Sequence, residues 1–108
     1  MEKLKTIRIL IVDDHPIFRK GMIQIIEEDP SLKVVGQAGS AEEALQQVQS
    51  GRVDLAVVDV DLPGMDGLKL ADRLLHRKPP VRVVLLTMHK PWRKSSTQRW
   101  IWASAPTF

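Results

Sequence analysis

Residues 54–67 read DLAVVDVDLPGMDG. A short apolar run, Asp54 to Val58, leads to a carboxylate at Asp59. The chain then breaks into a loop, Asp59 to Gly67, which holds Pro63, Gly64 and Gly67. An apolar run this short, bounded by turn residues, predicts a strand buried on both faces. Such strands belong to parallel sheets, so the flanking sequence must supply further strands and the helices that cover them.

Both flanks do so. Upstream, Thr6 to Val12 (TIRILIV) is rich in β-branched residues and predicts a buried strand. After Asp13, Asp14 and His15, Pro16 suits a first helical turn, with an Asp shortly before it as cap. Phe18, Met22, Ile25 and Ile26 then recur at helical spacing as far as about Glu28, and Asp29-Pro30-Ser31 ends the helix. Leu32 to Ala38 reads as a second strand. Ser40 and Glu43 have capping-box spacing. Ala41, Ala44, Leu45 and Val48 form a helical face closed by Ser50-Gly51. Downstream of the opening stretch, Leu68, Ala71, Leu74 and Leu75 mark a third helix stopped by Pro79-Pro80. Val81 to Thr87 (VRVVLLT) is a fourth strand. Strand and helix alternate four times, lacking only the last helix, which predicts an α/β chain with a doubly wound parallel sheet.

Composition narrows the class. At 108 residues the chain is one domain at most, and the absence of cysteine excludes disulfides and thiolate metal sites. The run Ile7 to Val12 contains Arg8 and meets Asp13 and Asp14, so it is neither a signal peptide nor a membrane span. The expected location is the cytoplasm, with no membrane partner. The net charge of +3 suggests nucleic acid until the chain is divided. Residues 1–89 hold 12 Lys/Arg against 13 Asp/Glu, which is −1. Residues 90–108 hold 4 Lys/Arg and no acid, which is +4. The basic character therefore belongs to the tail alone.

In open parallel sheets chemistry gathers at the carboxyl ends of strands, near the point where strand order reverses. Asp13 and Asp14 follow the first strand, and Asp59 follows the third. On neighbouring strands, roughly 5 Å apart, these three carboxylates converge and repel. A hard divalent cation relieves that, and Mg²⁺ with oxygen ligands fits best. It would also attract a phosphate and neutralise a transferring phosphoryl group.

The acidic pair, VVDVDLPGMDG at 57–67 and LLTMH at 85–89 together resemble a response regulator receiver domain of the NarL/LuxR type. The resemblance covers Ile7 to about His89. It implies a flavodoxin-like sheet of order 2-1-3-4-5 and phosphoryl transfer from a sensor histidine kinase to Asp59, with Mg²⁺ as cofactor. Asp14 and Asp59 would ligate the ion by side chain, Asp61 by its backbone carbonyl, and Asp13 mainly through a metal-bound water. Thr87 would carry its hydroxyl to the phosphoryl oxygen. Asp61 and His89 match positions that tune dephosphorylation. By this resemblance the chain is a phosphoryl acceptor with slow self-dephosphorylation at most, and not an enzyme.

Simpler readings stand beside these. Asp13 or Asp14 can be a helix cap. Asp61 and Asp66 can be turn residues, which is the reading favoured for Asp66. Thr87 can be an ordinary strand residue. His15 and His76 are expected on the solvated surface, with Lys3, Lys5, Lys20, Arg73, Arg77 and Lys78 on charged faces. Two other functions compete. Asp59-Val60-Asp61 also looks like the acidic pair of a haloacid-dehalogenase-type phosphohydrolase. That would be tested by loss of phosphate-ester turnover in Asp61→Asn. A non-phosphorylated docking module would keep its partner in Asp59→Ala.

Past His89 the resemblance stops. The family continues with a fourth helix, a fifth strand ending in a lysine that pairs with the phosphoryl group, a fifth helix, and usually a DNA-binding domain. Lys90 and Lys94 follow no apolar strand, so the lysine is not assigned. No direct DNA binding is expected of residues 1–108. All three tryptophans, Trp92, Trp100 and Trp102, fall in this tail. Reading its back-translation from the third base of codon 90 permits an amphipathic helix, a glycine and an apolar strand. Trp100-Ile101 then forces an aspartate, and Trp102-Ala103 forces a glycine. We therefore expect residues 1–89 to be a partial receiver domain and residues 90–108 an aberrant, out-of-frame tail. The fourth strand should then be an exposed apolar edge, and the sheet face beside the first helix should be uncovered. Both favour self-association and marginal stability, and the truncation should weaken phosphoryl acceptance; Gln98 to Ala103 (QRWIWA) can pack over part of the gap.

Overall fold

The computed structural model describes residues 5–62, 66–88 and 98–103. Its elements are β1 (Ile7–Val12), α1 (Pro16–Ile26), β2 (Leu32–Ala38), α2 (Ala41–Ser50), β3 (Leu55–Asp59), α3 (Gly67–His76), β4 (Arg82–Met88) and β5 (Gln98–Ala103). They form one sheet of order β2-β1-β3-β4-β5. The first four strands are parallel, as their apolar runs require, and β5 is antiparallel to β4. The fold is flavodoxin-like, with four parallel strands and three helices among the described residues.

Alternation along the strands divides the core into two layers. Leu10, Val12, Ala56, Val58, Val83 and Leu85 face Ala41, Ala44 and Val48 of α2 and Leu70, Ala71 and Leu74 of α3. Ile9, Ile11, Val57 and Leu86 face Met22 of α1, with Phe18, Ile23 and Ile26 packed around them. Leu10, Leu70 and Leu74 are completely buried, each contributing about 2 kcal/mol by removal from water. The two faces are not equally covered. On the α1 side, Leu55 and Val84 are only half-buried, in keeping with one helix there against two on the other face. Ile25 is 69% exposed, which corrects its expected place in the core. The contact stripe of α1 runs through Met22, Ile23 and Ile26, and Ile25 sits on its flank.

The helix starts carry their own chemistry. Ser40 caps α2 by accepting from the Glu43 N–H at 3.2 Å, and Glu43 Oε1 accepts from the Gly39 N–H at 2.8 Å. The capping box is thus present, with its return bond displaced to the residue before the cap. Asp66 is the N-cap of α3, accepting from the Lys69 N–H at 2.9 Å. This replaces the simple turn role favoured from sequence. α1 has no such cap: His15 occupies the N-cap position and makes no side-chain capping bond. Asp14 is not the cap.

The expectation of a bare β4 edge is corrected. β5 pairs along β4 from Met88↔Gln98 to Val83↔Ala103. An unpaired strand edge is a template for further pairing, and QRWIWA is rich in the aromatic and β-branched residues that pleated surfaces favour. The intervening segment, residues 89–97, is only nine residues long. A parallel crossover needs a dozen or more, so an antiparallel return is the direction this link allows.

Candidate functional site

Register brings the acidic residues together. Val12 pairs with Val58 across β1 and β3, so Asp13 and Asp59 each lie one residue further, at the carboxyl ends of adjacent strands. Both are almost wholly buried, at 0% and 2% exposure. Ligand atoms of Asp13, Asp14, His15 and Asp59 all lie within 4.8 Å of one another. The expected convergence of Asp13, Asp14 and Asp59 is therefore present.

Asp13 is the most constrained of the four. Its N–H donates to the Ala38 carbonyl at 2.9 Å, which ties it to the end of β2. Its carbonyl accepts from Arg19 Nη1 at 2.6 Å. Its Oδ1 accepts from the His15 N–H at 2.7 Å. Its Oδ2 is buried with no hydrogen-bond partner among the described residues. A buried carboxylate oxygen without a partner is costly, and a cation coordinated there removes the cost. The donor set, three carboxylates facing one point, also suits Mg²⁺, which takes oxygen ligands and keeps several waters. The residues present fit that ion.

Asp59 closes the other side. Its Oδ1 accepts from the Asp61 N–H at 3.0 Å. The next residue is locked in two directions: the Val60 N–H donates to the Leu86 carbonyl at 3.0 Å, and the Val60 carbonyl accepts from the Gly67 N–H at 3.0 Å. Gly67 is buried at the start of α3. A Cβ there would run into the Asp59 carbonyl and Val60 Cα. The glycine lets α3 begin directly against the residue that carries the carboxylate.

The remaining expected residues are placed as follows. The Asp61 side chain is exposed and outside the acidic group. The Thr87 backbone lies in β4, one residue beyond the Asp59↔Leu86 pair. Its side chain, His89 and the Pro63-Gly64 turn lie outside the described residues. His76 is a surface residue, 64% exposed, with Nδ1 3.2 Å from Asp72 Oδ1. His15 is not the solvated side chain expected. Its Nδ1 lies 3.1 Å from Asp13 Oδ1 and 3.0 Å from Asp14 Oδ1, with the side chain 38% exposed. The signal in the sequence was position: a histidine directly after an acidic pair and before Pro16 must enter the helix beside those carboxylates. Arg19 was also missed. Besides the Asp13 carbonyl it holds Gln37 Oε1 at 3.2 Å, bracing the ends of β1 and β2 together.

An open parallel sheet with buried carboxylates at the ends of β1 and β3, where strand order reverses, defines a flavodoxin-like α/β domain with an acidic site at its switch point. More narrowly, the chain belongs to the response regulator receiver domain family, whose model matches residues 9–105. Similar proteins are of the NarL/LuxR type. The DNA-binding transcriptional activator DevR/DosR of Mycobacterium tuberculosis is 42% identical over 83 residues, covering 77% of this chain and 38% of that protein. The transcriptional activator protein ExaE of Pseudomonas putida is 46% identical over 81 residues, covering 75% and 38%. Among solved structures, the receiver domain of the response regulator NarL from Mycobacterium tuberculosis superposes with a TM-score of 0.72 at 33% identity. That match covers 82% of this chain and 71% of that one. The chain thus spans under half the length of the two activators.

Proposed function

We propose that the chain is the phosphoacceptor module of a two-component system, and that Asp59 takes a phosphoryl group from the phosphohistidine of a sensor histidine kinase. In that step an Asp59 carboxylate oxygen forms the bond to phosphorus while the phosphorus–nitrogen bond breaks and returns the electron pair to the imidazole. The observation that carries the reading is the buried Asp59 carboxylate at the end of a central strand, within 4.8 Å of Asp13, Asp14 and His15 ligand atoms.

Asp13, Asp14 and Asp59, with the Asp61 backbone carbonyl, are the groups that would hold Mg²⁺. When bound, the ion neutralises charge on the carboxylates and on the phosphoryl oxygens. The Asp61 N–H, already on Asp59 Oδ1, fixes the rotation of the carboxylate that accepts the group. The burial of Asp59, 2% exposed, limits the access of water to the acyl phosphate. Thr87 contacts the phosphoryl group, and Asp61 and His89 tune its loss. The expected location is cytoplasmic, and the partners are the kinase and a second copy of the chain. Residues 1–89 are the receiver portion. Residues 90–108 are translated out of frame, which genomic DNA tests directly: a single indel near codon 90 should restore a fifth strand ending in lysine. The phosphohydrolase reading gains no support from Asp61, which is exposed and outside the cluster.

Acetyl phosphate with Mg²⁺, followed by intact mass, tests the function. We expect a gain of one phosphoryl group, lost without Mg²⁺ and in Asp59→Asn. An unmodified wild-type chain under conditions that label an intact receiver domain would overturn it.

A further inference from the structure

The geometry points to a nitrogen donor within the acidic site: His15 Nδ1 joins Asp13, Asp14 and Asp59 around a first-row transition cation such as Co²⁺ or Zn²⁺. The site would then distinguish these ions from Mg²⁺. This rests on the acidic cluster being a cation site, as proposed above.

Three observations converge on His15. Its Nδ1 sits 3.1 Å from Asp13 Oδ1 and 3.0 Å from Asp14 Oδ1. It belongs to the group of four whose ligand atoms lie within 4.8 Å of one another. It also occupies the N-cap of α1 without making a capping bond, although Ser, Thr, Asp and Asn serve there far better. The imidazole thus contacts the carboxylates and makes no side-chain capping bond. Independently, the buried Asp13 Oδ2, on the same carboxylate, has no hydrogen-bond partner among the described residues, which favours a cation at this carboxylate.

The donor chemistry then decides which cation gains. Mg²⁺ takes oxygen ligands and keeps its waters, so an imidazole adds little to its binding. Co²⁺ and Zn²⁺ accept imidazole nitrogen far more readily than Mg²⁺ or Mn²⁺ does, with affinities that rise along the first row. A cation bound there would take Nδ1 in place of a proton, so the same nitrogen that now contacts Asp13 Oδ1 and Asp14 Oδ1 becomes its ligand. The hydrogen bond from the His15 N–H to Asp13 Oδ1 fixes the residue at the cluster's rim. A ring that merely balanced negative charge would instead favour or oppose all divalent ions alike.

Titrating the full chain with Mg²⁺ and with Co²⁺ separates these cases. His15→Asn is the first variant, because asparagine is a better N-cap and offers no ring nitrogen. His15→Ala is the second. In both we expect the preference for Co²⁺ over Mg²⁺ to fall by at least about tenfold, with a changed visible absorption of bound Co²⁺. An unchanged preference and an unchanged Co²⁺ spectrum, with Mg²⁺ still bound, would overturn the histidine ligand and leave the acidic site standing. Asp13→Asn keeping full Mg²⁺ affinity would overturn the acidic site and the histidine ligand with it.

Discussion

Replacing Gly67 by alanine tests how tightly the site is built into the fold. The new Cβ would lie 2.7 Å from Val60 Cα and 2.9 Å from the Asp59 carbonyl carbon, and nearer still to the Asp59 carbonyl oxygen. Carbon atoms settle about 3.5–4.0 Å apart, so the first turn of α3 has to withdraw by roughly 1 Å. Overpacking costs about 1–3 kcal/mol, and obstruction by backbone on the strand side puts this case in the upper half of that range. Gly67 does not occupy the left-handed region, so the objection to a side chain is one of space only. Helix propensity acts in the opposite direction, favouring alanine by up to about 1 kcal/mol. The net expectation is a loss of about 2 kcal/mol. With a urea slope of about 2 kcal/mol/M, the midpoint should fall by about 1 M. Equilibrium unfolding in urea, followed by far-UV circular dichroism, measures it. A midpoint at or above wild type would mean that α3 does not abut Asp59 as described, and the reasoning would fail.

Metal should stabilise the wild-type chain: Mg²⁺ at ten times its dissociation constant adds about 1.4 kcal/mol. Asp13→Asn should lose this while gaining stability in chelator, since one of three mutually repelling carboxylates is gone. Thermal melts with Mg²⁺ and with chelator check both, and equal Mg²⁺ shifts in the two proteins would refute the assignment. Deleting residues 98–108 removes β5 and exposes β4 along its length. The shortened chain should associate with concentration in light scattering while the full chain does so less, and identical behaviour would deny β5 its protective role. Asp29 is held below its ordinary value of 3.8 by the Ser31 backbone N–H and then by the Ser31 hydroxyl. A lowered carboxyl contributes stability above the unfolded value that is lost as pH falls through the folded one. Asp29→Asn should therefore lose less stability than wild type between about pH 6 and pH 2, and an unchanged acid drop in the urea midpoint would refute this.

Much of the fold could be read from the chain because its signals are local. Apolar runs such as TIRILIV and LAVVD are short and bounded, and the helices between them have caps or breakers at both ends. The carboxylate cluster was legible for the same reason: Asp13 and Asp59 end strands whose adjacency follows from the α/β pattern. What sequence misplaced depends on tertiary context. Ile25 fits a helical stripe as well as Ile23 does, and only the packing of α1 on the sheet leaves Ile25 exposed while Ile23 meets the core. Asp66 is a turn residue or a cap according to where α3 starts, which the close approach at Gly67 decides. His15 has no pattern of its own, and its role depends on the two carboxylates it meets. QRWIWA was expected to cover part of the gap, but its pairing as a strand was not read, because it has no fixed partner in sequence and the free edge of β4 supplies one.

Locating the phosphoryl group by residue tests the central claim most directly. After acetyl phosphate and Mg²⁺, borohydride reduction converts an aspartyl phosphate to homoserine, which peptide mass spectrometry places in the chain. The account requires the reduced residue at position 59, formed only with Mg²⁺. Modification at another residue, or at position 59 without any need for Mg²⁺, would contradict it.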